Sequence, residues 1–521
     1  MFSIRFFWQS YWSSRLLIFL IALITRSLLG YIFFGSVDVP CFISMTHCTL
    51  HHDLLAFPMW NYVPVLTYFL WIAGFLIIKT ALPVAFCIKL IPIFFDSLLA
   101  VLIVDIVQKI RSSAAQWAGL AYALCPVSII ITSIHGQWDA LFLFFLILSF
   151  YIRDFFADTN SKFFWFGFVF GFSLLLKPVS IIFLPIFFTP AQEKLSEVLA
   201  ALVDWRKATQ SVKNYLTFQL ASCIGFAIVC SFVAVVLLWY GFNLFKLADT
   251  IGRYGNRGVQ VLGLPFFSLI KDSALASILK HRLLFLGAIA IFAWFYYRWR
   301  ISAMQVILIT FALLFGLSGV CPQYFMWLIP FLLITHMYFY AALYGAFVTS
   351  FLVLFYANPL ANPAVPYQNM LSFAALKSWL WSTPPAIFAS EHFVWYIQLL
   401  GNCIIPVLCL LIALFTWQYK NTKKQARVVL YRSWLDRYLI STLIMLSIVF
   451  ILRLFFDFDQ ALHLFVQRSK GVLEQYAVIT AQGKPCAVFD GFSSWNAITC
   501  MTIMLIGYFI ALAYAYNSSV E

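Results

Sequence analysis

Residues 83–107 read PVAFCIKLIPIFFDSLLAVLIVDIV, and only Lys89, Asp96 and Asp105 among them carry charge. At about 1.5 Å per residue, a helix of this run reaches roughly 37 Å. That is enough to cross the ~30 Å hydrocarbon core of a bilayer. Comparable apolar runs recur at 16–34, 114–134, 139–153, 163–177, 178–189, 217–240, 283–297, 302–319, 323–336, 337–357, 393–417, 437–455 and 496–515. Several are short pairs around a polar turn, a pattern typical of broken or re-entrant segments beside a cavity. The expected fold is an all-α, polytopic transmembrane helical bundle of about 11–14 spans.

Composition points the same way. Of 521 residues, 64% are apolar, 10% are charged and 58 are Phe. Soluble domains carry roughly 45–50% apolar and about 25% charged residues. A soluble fold cannot hide such an excess, since even a 300-residue domain buries only about 75% of its surface. A soluble enzyme, a disordered chain and a secreted disulfide scaffold are therefore excluded. The first run follows a segment with Arg5 and many aromatics, and holds Arg26 with no small-residue cleavage site. It is expected to be a retained span rather than a cleaved signal.

The formal net charge is +14, from 33 Lys and Arg against 19 Asp and Glu. No nucleic-acid motif accompanies it, and nucleic acid is not an expected partner. Basic loops on the cytoplasmic side account for the excess. With a cytoplasmic N-terminus, that side collects Arg5, Arg15, Lys109, Arg111, Arg153, Lys162, Lys194, Arg206, Lys207, Lys213, Arg298, Arg300 and six more between 420 and 437. A cytoplasmic loop then spans 190–216, and long outer loops lie at 35–82, 241–282, 358–392 and 456–495. Residues 60–78 (WNYVPVLTYFLWIAGFLII) could form another crossing, but counting them would put Lys109 and Arg111 outside. An amphipathic helix lying in the membrane interface fits better. The 11 Cys include no CxxC pair, and Cys41 and Cys48 share the first outer loop, where an oxidising space would allow a disulfide.

Ionisable residues within a membrane are expensive and mark function by default. Asp38, just after the first span, could act as a general base, or serve only as a solvated acid or helix N-cap. His135-Gly136-Gln137-Trp138-Asp139 interrupts two apolar runs at the outer face. Gln137 offers hydrogen bonds to a sugar and Trp138 a stacking face, and His135 and Asp139 either pair or touch substrate. Lys177-Pro178 separates two short runs; the lysine either snorkels to headgroups or holds a lipid phosphate as a point charge. Arg253 and Arg257 stand four apart in a Gly-rich outer loop suited to a phosphate. Gln323 and Tyr324 mark a further outer turn that ends at Trp327. Lys89 and Asp96, seven apart on one helix face, could pair through an intermediate partner or line a cavity. Asp457-Phe458-Asp459 is formally a DxD pattern, too short to specify a metal, and no metal or other cofactor is expected.

In their order along the chain these motifs resemble the GT-C superfamily of integral-membrane glycosyltransferases, above all the branches that use polyprenyl-phosphate sugars. The loop acid after the first span falls at Asp38. Tyr62-Val63-Pro64-Val65-Leu66-Thr67 is similar to the family's interfacial Tyr-Pro-Pro-Leu-Thr stretch, and Lys89 and Asp96 match a span bearing a basic residue and an Asp. His135-Gly136-Gln137-Trp138-Asp139 resembles the luminal turn, Lys177 with Pro185-Ile186-Phe187-Phe188 the following segment, and Gln323-Tyr324 with Trp327-Leu328-Ile329-Pro330 a later one.

The resemblance implies a GT-C-like catalytic module over 1–340 and additional C-terminal transmembrane helices over 341–521. It implies inverting transfer of mannose or another hexose from a polyprenyl-phosphate-linked donor to a glycan, lipid-linked or protein acceptor. Asp38 would be the catalytic base. His135, Gln137, Trp138, Asp139, Gln323 and Tyr324 would bind sugars, and Lys177, Arg253 and Arg257 the lipid phosphate. The site would face the lumen or periplasm from the endoplasmic-reticulum or bacterial inner membrane. The expected partners are the bilayer, the lipid-linked donor, the acceptor and an accessory membrane subunit. A polytopic transporter or lipid-linked glycan flippase could use the same charged cavity without bond chemistry, although paired repeats with broken helices, common in transporters, are not evident. A scaffold subunit with a decayed site is a third reading.

Overall fold

The computed structural model describes residues 11–32, 35, 38–50, 65–110, 112–156, 160–188, 210–239, 287, 290, 302–317, 322–357, 399–421 and 494–520. Among these every regular element is helical: α1 (Tyr11–Ile32), α2 (Asp38–Leu50), α3 (Val65–Lys79), α4 (Val84–Ile110), α5 (Ala115–Ala123), α6 (Pro126–Ile129), α7 (Asp139–Phe155), α8 (Asn160–Leu176), α9 (Gln210–Trp239), α10 (Ala303–Leu317), α11 (Leu328–Ile334), α12 (Tyr338–Ala357), α13 (Ile405–Asn421) and α14 (Ser494–Val520). Four stretches among them are long and apolar enough to cross a bilayer: Ser14–Tyr31, Val84–Ile110, Ala115–His135 and Leu216–Val235. The chain is an all-helical integral membrane protein. Runs expected at 283–297 and 437–455 lie outside the described residues, apart from 287 and 290, as does most of the loops 190–216 and 241–282.

Surface patterning is that of a protein whose solvent is lipid. On α1, Ile18, Ala22 and Leu29 are buried while Leu16, Leu20 and Ile24 are exposed. On α9, Leu220, Ile224, Ile228, Phe232 and Val235 form an exposed apolar stripe at helical spacing. In water such stripes would be costly; against acyl chains they are neutral. The same holds for α3, the element expected to lie in the interface. Its Val65, Leu66, Leu70 and Ala73 are buried, and its Trp71, Ile72, Phe75 and Ile78 are exposed. It packs Phe69 edge-on against Phe95 of α4, at 5.5 Å between ring centroids. Both its faces are therefore apolar.

Within lipid, helices associate through close backbone approach at small residues. Gly167 and Gly171 of α8, spaced as GxxxG, face α9: a Cβ built on Gly167 would lie 1.9 Å from the Ser222 carbonyl oxygen. Reciprocally, a Cβ on Gly225 would lie 2.1 Å from the Phe164 carbonyl oxygen. The C-terminal helix α14 packs against α5 and α12. Tyr514 stacks on Trp117 of α5 at 4.4 Å, and the Tyr508 hydroxyl donates to the Ala341 carbonyl of α12 at 2.8 Å.

The run at 114–134 is long enough to cross as Ala115–His135, but it is interrupted. α5 ends at Ala123, Pro126 begins α6, and residues 130–135 form a π-helical turn. Proline cannot supply the N–H that a continuing helix needs at that point. The π-turn has a direct signature, with the Ile131 carbonyl accepting from the N–H groups of Gly136 at 3.1 Å and Gln137 at 3.0 Å. Gly136 then adopts a left-handed conformation, φ 86°, which a side chain would resist. The chain passes through Gln137 and Trp138, the latter at φ −96°, ψ 13°, and enters α7 at Asp139.

Candidate active site

The five residues from His135 to Asp139 carry two polar clusters. In the first, His135 Nε2 lies 2.7 Å from Asp38 Oδ2, and Gln137 Nε2 donates to the same oxygen. The two donors lie 3.2 Å apart because they share one acceptor. An ionised Asp38 can only accept, which puts an N–H on His135 Nε2. Asp38 is the first residue of α2, where the unsatisfied N–H groups of a helix start favour negative charge. It is brought to His135 by the tight approach of Gly35, φ 118°, whose Cβ position would lie 3.2 Å from the His135 carbonyl oxygen. The His135 side chain is 0% exposed and that of Asp38 28%. The acid is thus the member of the pair that an incoming group can reach.

In the second cluster Asp139 Oδ1 accepts from Lys177 Nζ, and its Oδ2 from Trp327 Nε1 at 2.8 Å. Asp139 is almost fully buried, and Lys177 is 17% exposed. Aromatic faces surround the ammonium: Tyr324 at 4.3 Å, Trp327 at 4.8 Å and Phe142 at 5.9 Å. Such contacts attract a cation electrostatically. Lys177 is held at the break between α8 and the 3₁₀ segment Pro178–Phe188. The hydroxyls of Ser173 and Ser180, 2.8 Å apart, span that break.

The structure therefore brings together Asp38, His135 and Gln137, and separately Asp139, Lys177, Tyr324 and Trp327. Trp138 is buried, with its ring 5.5 Å from that of Phe42; its Nε1 has no hydrogen-bond partner among the described residues. Gln323 is half-buried in the 3₁₀ turn Pro322–Trp327. Arg253, Arg257, Asp457 and Asp459 lie outside the described residues. Among the described residues no three His, Cys, Asp or Glu side chains converge as a metal-binding group. Cys41 and Cys48 sit on one continuous helix, α2. Seven helical residues separate them by about 10 Å, beyond the ~7 Å Cα reach of a disulfide, and Cys41 is a free thiol.

Lys89 and Asp96 do not pair with each other. Asp96 is bonded to Arg26, whose Nε donates to Oδ2 at 2.6 Å, both side chains being 0% exposed. Lys89, also buried, donates to the Ser133 carbonyl at 3.1 Å. Sequence reasoning assigned Arg26 no role. Its position inside an apolar run was the available signal, because an arginine there requires a buried partner.

No family model matches the chain, and no curated protein matches it. Among solved structures it is similar to the archaeal oligosaccharyltransferase AglB from Archaeoglobus fulgidus, solved in complex with an inhibitory peptide and a dolichol-phosphate. The identity is 13% and the TM-score 0.33, with 77% of this chain and 56% of that one covered. The chain thus spans little more than half the length of that protein. At that score neither family nor activity follows from the superposition, and the functional reading rests on the chain's own residues.

Proposed function

We propose that the chain is a membrane glycosyltransferase of the GT-C kind. It transfers a hexose, mannose among the candidates, from a polyprenyl-phosphate-linked donor to a lipid-linked or protein acceptor at the luminal or periplasmic face. The observation that carries this reading is the half-open Asp38 carboxylate, backed by buried His135 and Gln137, which share one short segment with Asp139, the partner of Lys177. A carboxylate and a cation on either end of a five-residue turn supply the two charges that the reaction needs.

In this reading Asp38 takes the proton of the acceptor hydroxyl. The acceptor oxygen bonds to the anomeric carbon as the bond from that carbon to the phosphate oxygen breaks, and the lipid phosphate leaves with the electron pair on the opposite face, inverting the centre. Lys177 stabilises the departing phosphate, with Arg253 and Arg257 assigned to the same anion. Gln323 and Tyr324 orient the sugars, and Asp139 holds Lys177 in place. His135 and Gln137 aim Asp38, since both hold the same carboxylate oxygen.

The test is transfer by purified protein in detergent or nanodiscs, using a panel of radiolabelled polyprenyl-phosphate sugars separated by thin-layer chromatography. Asp38→Asn keeps size and removes the base, and is expected to lower the rate by at least ~100-fold. Transfer at the wild-type rate would refute the assignment of Asp38. Uptake of labelled lipid into proteoliposomes with no covalent product would favour a flippase instead.

A further inference from the structure

The Arg26–Asp96 pair touches neither polar cluster, yet both its side chains are fully enclosed. Arg26 Nε donates to Asp96 Oδ2 at 2.6 Å. Its other nitrogens donate to the Ala123 carbonyl at 2.6 Å, the Tyr122 carbonyl at 3.1 Å and Ser128 Oγ at 3.0 Å. Those two carbonyls form the C-terminal end of α5, where Pro126 has no N–H to continue the helix. The cation therefore caps that end, where the helix dipole is negative. Asp96 faces the other side of the break. It accepts from the Tyr122 hydroxyl at 2.5 Å, from Ser128 Oγ of α6 and from Thr132 Oγ1 of the π-turn at 3.0 Å. The pair thus staples α5, α6 and the π-turn across the interruption.

Stability alone is a poor reason to keep such a pair. Replacing a buried ion pair with apolar residues of like volume is often neutral or stabilising. What this pair fixes is geometry. Thr132 lies three residues before His135, in a turn of a rare type that recurs at functional sites. Lys89, by donating to the Ser133 carbonyl, holds the same turn from α4. If the turn relaxed to ordinary α-helix, its register would change by one residue, and His135 would rotate by about 100° away from Asp38.

We propose that Arg26, Asp96 and Thr132 are positioning residues that hold the π-turn in the register that places His135 Nε2 on Asp38. The link to catalysis rests on the glycosyltransferase reading. The placement of His135 does not, and it is measured separately.

The decisive variant is Thr132→Val, which keeps shape and removes the hydroxyl donor. Its first readout is solid-state NMR of the ¹⁵N-histidine-labelled full chain in lipid, with the His135 resonances identified by subtraction of a His135→Asn spectrum. The wild type is expected to show Nε2–H hydrogen-bonded to a carboxylate. Thr132→Val is expected to lose that signature, and Thr132→Ser to restore it. The second readout is kinetic: kcat lower by about 10–100-fold with KM within about twofold, as expected for a displaced catalytic constellation, and recovery in Thr132→Ser. A folded Thr132→Val protein with the wild-type His135 signature overturns the proposal. Should Thr132→Val fail to fold, Ser128→Ala, which removes the other hydroxyl donor from the stretch preceding His135, is judged by the same two criteria. Absence of transfer by the wild type would overturn the glycosyltransferase reading and leave the nitrogen signature to decide this one.

Discussion

Gly167→Ala adds a single methyl group where α8 meets the backbone of α9, the tightest of the glycine positions. That carbon would stand 1.9 Å from the Ser222 carbonyl oxygen, 2.7 Å from its carbonyl carbon and 2.9 Å from its Cα. Ordinary contact begins near 3.4 Å, so α8 and α9 must part locally by about 1.5 Å. All three opposing atoms are backbone, and no rotamer change can make room. Overpacking of this kind costs about 1–3 kcal/mol, and a rigid backbone neighbour places this case near the upper end, at about 3 kcal/mol. Alanine is otherwise the better helix former by about 1 kcal/mol, which leaves a net loss of ~2 kcal/mol. With unfolding entropy proportional to chain length, that corresponds to a fall of ~2 °C in Tm for a chain of this size. The assay is thermal unfolding in detergent, at a fixed scan rate, followed by tryptophan fluorescence. Gly287 provides an internal control, since a Cβ there meets no described residue within 4 Å, and Gly287→Ala should melt at or slightly above wild type. A Gly167→Ala protein that melts with the Gly287→Ala control would refute the close approach of α8 and α9.

Two further outcomes are expected. Lys177→Met and Asp139→Asn should be non-additive in stability, because each single change leaves one charge facing aromatic rings without its partner; a double-mutant cycle is expected to give a coupling of about 1–3 kcal/mol, and additive losses would show that the pair is not formed. On α2, in the first outer loop, burial followed by the nearby charge of Asp38 raises the Cys41 thiol to about 11. At pH 8 its thiolate fraction is then about one in a thousand, against about one in ten for a thiol at the ordinary value of 9.0. Maleimide labelling of Cys41 in a background lacking the other cysteines should accordingly be ~100-fold slow at pH 8 and rise with pH toward 11, and Asp38→Asn should speed it. Fast labelling at pH 8 would contradict that burial.

Much of the fold was legible because lipid imposes a simple rule. Each spanning helix must be long and apolar, and hydropathy measures that directly. The run at 83–107 became α4 at Val84–Ile110, and the run at 139–153 became α7 at Asp139–Phe155. The break at Lys177-Pro178 was legible from proline. The break at Leu124-Cys125-Pro126 carries the same signal, but hydropathy averages over it, because every neighbouring residue is apolar. The GxxxG spacing of Gly167 and Gly171 was likewise present in the sequence and marks the close approach to α9. Partners were the part that could not be read. Asp96 lies seven residues from Lys89 and 70 from Arg26, and only the packing of α1 against α4 selects the distant one. Spacing on one helix shows which groups share a face, not what stands opposite that face.

The same reasoning explains why the polar residues gather on one short turn. A charge in hydrocarbon must be paired, and an irregular backbone there must be covered by protein. Both conditions are met most economically at the same place. The π-turn and its left-handed Gly136 need polar contacts, and Lys89 and Asp96 provide them. The turn so held then points His135 at the Asp38 carboxylate of α2 and Asp139 at the Lys177 ammonium just past α8. Gly136 itself is enclosed: a Cβ there would stand 2.5 Å from Val39 Cγ2 and 3.1 Å from Lys89 Cδ. Movement of the turn is therefore transmitted to both clusters at once. A carboxylate and an ammonium from sequence positions 139 residues apart are tied to one five-residue segment, and the buried Arg26–Asp96 pair fixes where that segment begins.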